Sequence, residues 1–223
     1  MLDVIVQIDV APQQINYGSD TAAQISTGSG GAAGNVAAWL TRTPARSTIV
    51  SRVGDDPAGA AIITEFDELG VSHSDLTTKG KSSGVVIVLV DSSGERTMFP
   101  DKGANSLLEI TDMPDLADFQ AAYISGYALL NPFARPTVLS MIEKIKANGI
   151  DIYFDPASVG AMKDVSDPEL HSWLSLMDII LLNEEEAIFI TGFVEIERAL
   201  DYLLKFSATV VIKRGSQGAT AKA

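Results

Sequence analysis

Ile179-Ile-Leu-Leu-Asn-Glu-Glu-Glu-Ala-Ile-Phe-Ile-Thr191 decides the fold class. Its first four residues are apolar without alternation, the pattern of a parallel strand covered on both faces. An asparagine and three glutamates follow, as suits an N-cap and a first helical turn facing the positive dipole end. The same unbroken apolar pattern recurs at 150–154 and 209–213, with helical patterns at 184–191 and 196–206. Upstream, a strand at 121–125 precedes a helix at 133–147 that Asn148-Gly149 closes. A strand at 47–53 precedes a helix at 57–69, with Pro57 in its first turn and Gly70 just past its end. Strands alternating with helices predict an α/β core: a doubly wound, mostly parallel sheet with helices on both faces.

Two segments break this rhythm. Strands at 4–10 and 22–26, and again at 84–91 and 96–99, have no helix between them, and Ser92-Ser-Gly-Glu95 reads as a hairpin turn. They predict a small separate β-sheet, a candidate lid, or alternatively an antiparallel extension of the main sheet. The partition that follows is a core of 28–82 and 104–223 and a lid of 4–27 and 83–103.

Between the first lid strands and the core lies Gly28-Ser-Gly-Gly-Ala-Ala-Gly-Asn-Val-Ala-Ala-Trp-Leu40. Glycines let backbone N–H groups approach a ligand, and the helix expected at 35–40 turns its positive end toward the same place. The junction suits a polar or anionic ligand. Gly28-x-Gly30-x-x-Ala33 also fits a loose dinucleotide fingerprint. An oxidoreductase is disfavoured, because no acidic residue ends a second strand at the expected distance of about 20 residues.

Composition narrows the classes further. The 223 residues are 46% hydrophobic and 20% charged, as in ordinary globular proteins. A net charge of −13 argues against a nucleic-acid partner. No apolar run approaches the roughly 20 residues of a membrane span, and Met1-Leu2-Asp3 lacks a basic signal-peptide start. With no cysteine, disulfide and thiolate chemistry are excluded and a cytoplasmic location is expected. Two histidines, His73 and His171, do not make a histidine-rich metal site.

Four further places could carry chemistry. Asn183-Glu-Glu-Glu186 follows a strand at its carboxyl end, where ligands gather in open α/β sheets; on spacing alone, helix capping is the better reading. Lys213-Arg-Gly-Ser-Gln-Gly218 also follows a strand, as a ligand loop or a plain turn. The aspartates of Ser51-Arg-Val-Gly-Asp-Asp-Pro-Ala-Gly59 read as turn and N-cap residues. Asp3 heads an apolar strand, either as a solvated terminus or as an acceptor for sugar hydroxyls.

Taken in order, Gly30-Gly-Ala-Ala-Gly-Asn35, Arg52-Val-Gly-Asp-Asp-Pro-Ala-Gly59, Asn183-Glu-Glu-Glu186 and Lys213-Arg-Gly-Ser-Gln-Gly218 resemble the ribokinase-like (PfkB) carbohydrate kinase family over nearly the whole chain. The resemblance implies an ATP-dependent sugar kinase with a ribokinase-like core and a β-sheet lid. It implies that Gly30 and Gly31 form a hinge and that Asp3 and Asn35 hold the acceptor's hydroxyls. It implies that Asn183 and Glu186 order Mg²⁺ and the nucleotide phosphates, Glu186 as the metal-side carboxylate. Lys213, Gly215 and Gly218 would line the nucleotide site. No Walker A loop occurs. The family's Gly-Ala-Gly-Asp motif, with the general-base aspartate, does not appear before Ala223 and is expected beyond it. Further implications are small-molecule sugar and ATP as the partners and a homodimer formed through the lid sheet. A nucleoside kinase of the same superfamily and a non-catalytic sugar- or nucleotide-binding module are the alternatives.

Overall fold

A computed structural model describes residues 1–223. The chain divides into two compact units, Met1–Leu108 and Glu109–Ala223. In the first, the early extended segments become β1 (Leu2–Gln7) and β2 (Gln24–Ser29), and the glycine loop runs into helix α1 (Ala32–Leu40). Next come β3 (Thr48–Ile49), β4 (Val53–Gly54), α2 (Pro57–Leu69), β5 (Ser72–His73), β6 (Thr77–Thr78), β7 (Val85–Val90) and β8 (Arg96–Asp101). Strands β2-β1-β7-β8 form one four-stranded sheet, with β1 antiparallel to β2 and parallel to β7. The β7–β8 hairpin closes on Asp91, whose carboxylate accepts the N–H groups of Ser93 and Glu95 and the Ser93 hydroxyl. That is an Asx turn, and these bonds hold the Asp91 carboxyl below its ordinary range.

Two expectations shift here. Helix α1 starts at Ala32 rather than at residue 35, because Gly31 takes φ +91° as its N-cap and lets the alanines enter the first turn. The strand expected at 47–53 is two short strands, since β3 pairs with β5 and β4 with β6, each in parallel. Helix α2 contributes Ile62 and Phe66 to a buried cluster of this unit with Ala37, Ile49, Val53, Val71 and Leu76. Each of these side chains apart from that of Ala37 contributes roughly 1.5–3 kcal/mol on burial. Asp56 caps α2 and Gly70 ends it in the left-handed region.

The second unit contains β9 (Ala121–Ser125), α3 (Gly126–Leu129), α4 (Arg135–Ala147), β10 (Asp151–Asp155), α5 (Val159–Met162) and α6 (Asp167–Leu174). It continues with β11 (Ile179–Asn183), α7 (Glu184–Thr191), α8 (Ile196–Leu203), β12 (Thr209–Lys213) and β13 (Ala219–Lys222). The sheet order is β13-β12-β11-β10-β9, parallel except for the edge pair β12–β13. Ile152, Phe154, Ile180, Leu182, Val210 and Ile212 are sealed in its core, and the residues between them along β11 and β12 are mostly half-buried. Four parallel strands therefore end side by side at Ser125, Asp155, Asn183 and Lys213. No helix of the chain is long and apolar enough to cross a membrane.

Candidate functional site

In the first unit, the glycine motif and Asp3 meet. Asp3 lies on β1 opposite Gly28 of β2, and a Cβ placed on Gly30 would overlap the Asp3 carboxylate. Gly30 is glycine because that carboxylate fills the space a side chain would need. Burial pushes the Asp3 carboxyl above its ordinary range, partly offset by the positive amino group of Met1. A half-buried carboxylate with this little local support is set up to take hydrogen bonds from a ligand. Gly31 turns the chain into α1, whose first-turn N–H groups lack helical partners. Asn35 sits in that first turn, exposed, with no hydrogen bond from its side chain. Asp3, Gly30 and Gly31 are thus brought together, and Asn35 stands a turn along the helix.

In the second unit, the strand ends collect the rest. Asn183 Oδ1 accepts the Glu186 N–H at 2.8 Å, and Glu186 Oε2 accepts the Asn183 N–H at 2.8 Å. This capping box fixes both side chains at the start of α7. Glu186 is only 3% exposed. Burial raises its carboxyl above the ordinary range; the Asn183 N–H and Lys213 favour the charged form, and Asp155 opposes it. Lys213 Nζ reaches across the end of β11 to Asp155 Oδ2, at 2.6 Å. Beyond it the chain turns at Gly215 (φ +55°) and Gly218 (φ +81°). The Gly218 N–H closes that turn on the Gly215 carbonyl at 3.1 Å, so Gly218 shapes the loop. Arg214 pairs with Glu184 at 2.8 Å and ties the loop to α7.

Asp155 and Tyr123 are the residues that sequence reading missed. Asp155 Oδ1 accepts the Ala157 N–H at 3.0 Å, and Ala157 holds φ +78°, the only positive φ outside glycine. Such a conformation costs roughly 1–2 kcal/mol, and strain of this kind gathers at functional sites. Gly126, at the end of β9, has no room for a Cβ against the Pro156 carbonyl. The Tyr123 phenol is pushed well above its ordinary range by burial and by the charges of Asp155 and Glu186. An aspartate closing an apolar strand was the available signal, by the same carboxyl-end rule that picked out Asn183.

These groups suit a nucleotide and a hard divalent cation. Glu186 keeps Oε1 without a protein partner while Oε2 is fixed, and Mg²⁺ is held by one or two carboxylates and several waters. No group of three or more His, Cys, Asp or Glu residues gathers as a protein-only cage.

Known proteins resemble this chain in sequence and in fold. A fructokinase from Klebsiella pneumoniae is 32% identical over 204 residues, which cover 86% of this chain and 65% of that protein. The chain spans about 55–65% of the length of the curated fructokinases it matches. The crystal structure of a fructokinase from Vibrio cholerae, in a form with fructose, ADP and calcium ion bound, superposes with a TM-score of 0.75 at 25% identity. It covers 99% of this chain and 71% of that one. An adenosine kinase from Sinorhizobium meliloti reaches a TM-score of 0.85 at 20% identity, over 99% of this chain and 74% of that one, which is a likeness of fold. The model of the pfkB family of carbohydrate kinases matches residues 3–223, and the chain belongs to that family.

Proposed function

We propose that this protein is an ATP-dependent sugar kinase that transfers the γ-phosphoryl group to a sugar hydroxyl. The observation that carries the reading is Glu186: a buried carboxylate, locked by Asn183, beside the Lys213 ammonium at the carboxyl ends of parallel strands. Phosphoryl transfer asks a protein mainly for positioning and charge stabilisation. Lys213 supplies a cationic point charge for phosphate oxygens, and Gly215 and Gly218 let the backbone turn closely beside it. Mg²⁺, when bound with the nucleotide, neutralises charge developing on the phosphates. Glu186 and Asn183 would hold its water shell.

The acceptor side falls to the first unit. Asp3 would accept two sugar hydroxyls, Asn35 would add a donor and acceptor, and Gly30-Gly31 would serve as the hinge of a lid formed by 4–27 and 83–103. Exposed apolar residues on one face of the four-stranded sheet, Ile25, Ile87 and Phe99, support a homodimer through that sheet. The absence of cysteine fits action in the cytoplasm. A coupled assay with MgATP and a panel of fructose, ribose, other hexoses, adenosine and inosine tests the reading. Sugar-dependent ADP release supports it; turnover of the nucleosides alone replaces it with a nucleoside kinase, and binding without turnover with a non-catalytic module.

A further inference from the structure

The segment Gly54-Asp-Asp-Pro-Ala-Gly59 reads in sequence as a turn and a helix cap. The structure gives Asp56 a second task. Its Oδ1 accepts the Gly59 N–H at 2.8 Å, as an N-cap should, and also the Ser83 hydroxyl at 2.6 Å. Its Oδ2 accepts the Ser83 N–H at 2.8 Å. Buried Ser83 in turn accepts the Gly54 N–H at 2.9 Å. The knot is tight: a Cβ on Gly59 would overlap the Gly54 carbonyl and lie 2.8 Å from the Ser83 hydroxyl oxygen. These bonds hold the Asp56 carboxyl below its ordinary range, the Ser83 hydroxyl foremost.

Ser83 and Gly84 are the root of β7, and the Gly84 carbonyl accepts the Leu2 N–H of β1 at 2.9 Å. Further along α2, Glu65 accepts the Ser29 hydroxyl at the end of β2. Strand β1 runs between β2 and β7, and Asp3 stands level with Gly28 on one side and Val86 on the other. One helix therefore grips both neighbours of the strand that carries Asp3, each through a carboxylate on a serine.

We infer that Asp56 and Glu65 are positioning residues for acceptor binding: from α2 they fix the strands flanking Asp3 and so hold its carboxylate against Gly30. The inference rests on Asp3 being an acceptor-binding residue. A fixed carboxylate loses little on binding a sugar, whereas a wandering one must be ordered first, and that cost falls on the acceptor rather than on the nucleotide.

The test uses the full-length protein with Ser29→Ala, Ser83→Ala, the hydroxyl-retaining Ser29→Thr and Ser83→Thr, and Asp3→Asn. The acceptor is whichever of fructose and ribose turns over faster. Each alanine variant is expected to raise the sugar KM about three- to tenfold, less than the direct loss of a hydrogen bond to a charged group because the contact acts through Asp3, with the ATP KM within about twofold. Ser29→Thr, at a half-buried position, should return to parent values, and Ser83→Thr should keep a parent-like sugar KM even where its added methyl lowers the melting temperature. Hydrogen exchange at the β1 and β2 amides should quicken in Ser29→Ala. Lower melting temperatures with an unmoved sugar KM would make both contacts merely structural and overturn the inference. A parent-like sugar KM in both alanine variants while Asp3→Asn raises it sinks this inference alone. A parent-like Asp3→Asn removes the acceptor role of Asp3 and this inference with it. If Ser83→Ala does not fold, Ser29→Ala decides.

Discussion

Burial raises the carboxyl of Glu186 even though the Asn183 N–H and Lys213 both favour its ionised form. Between the unfolded and folded values the native state holds more protons than the unfolded chain. The stability that Glu186 contributes is therefore complete below the ordinary glutamate pKa of about 4.3 and declines as pH rises through the raised one. At neutral pH the buried charge works against the fold. Glu186→Gln keeps an oxygen for the capping box and removes that charge. It should melt higher than the parent at pH 7, by a margin that shrinks toward pH 4. It should also lose Mg²⁺ responsiveness and roughly 10²-fold in kcat, if the carboxylate works as a metal-side electrostatic group. Melting curves at the two pH values and a Mg²⁺ titration check both halves; superimposable titrations would leave Glu186 a helix cap only. Asp3 is displaced in the same direction by burial, so sugar kcat/KM should fall as acid protonates it. Asp3→Asn should cost about 1.5–3 kcal/mol of charge-assisted hydrogen bonding, roughly tenfold or more in sugar kcat/KM. Unchanged sugar kinetics would return Asp3 to a strand terminus.

Two glycines of one motif behave oppositely at the level of the β2–α1 junction. A Cβ on Gly30 falls on the Asp3 carboxylate, whereas a Cβ on Gly34 meets only the Phe66 ring, at an ordinary 3.5 Å. Gly30→Ala should therefore push the carboxylate aside, costing about 1–3 kcal/mol of stability and at least tenfold in sugar kcat/KM. Gly34→Ala, inside α1, should be neutral or stabilising by up to about 1 kcal/mol. Urea unfolding and sugar kinetics on the two variants separate these outcomes, and equal behaviour would refute the steric account. What was legible in sequence follows the same division. The strands ending at Asn183 and Lys213 were readable because an unbroken apolar run and the capping signal after it are local patterns. The place of Asp155 at a strand end was readable by the same rule, but its pairing with Lys213 was not, because that partner is 58 residues away. Nor was the second task of Asp56, which depends on Ser83, 27 residues on. The start of α1 was misplaced because a positive φ at Gly31 outweighed the capping preference of Asn35. Edge strand β13 and helices α3 and α5 went unread, since each is only four residues long and takes its form from tertiary contacts, whereas α6 was passed over despite the local start signal Ser166-Asp-Pro-Glu169.

The chain as a whole carries a formal charge of −13, yet the proposed co-substrate is a polyanion. Long-range attraction cannot then recruit the nucleotide, and its binding must rest on groups fixed at the carboxyl ends of β11 and β12. The acceptor groups lie in the unit Met1–Leu108 and the phosphate-side groups in the unit Glu109–Ala223. Each ligand should therefore leave its own footprint. A ligand at 100 times its Kd stabilises the state that binds it by about 2.7 kcal/mol, enough to slow amide exchange through local opening roughly 100-fold. Fructose or ribose at saturation should protect amides of β1 and of residues 28–40. MgADP should protect residues 183–187 and 213–218. Lys213→Ala should weaken the MgADP footprint and leave the sugar footprint unchanged, because the ammonium is a phosphate-side charge. Hydrogen exchange read by mass spectrometry with each ligand alone measures this directly. A sugar footprint confined to residues 109–223, or a MgADP footprint confined to residues 1–108, would reverse the division of labour and overturn the roles given to Asp3 and Lys213 together.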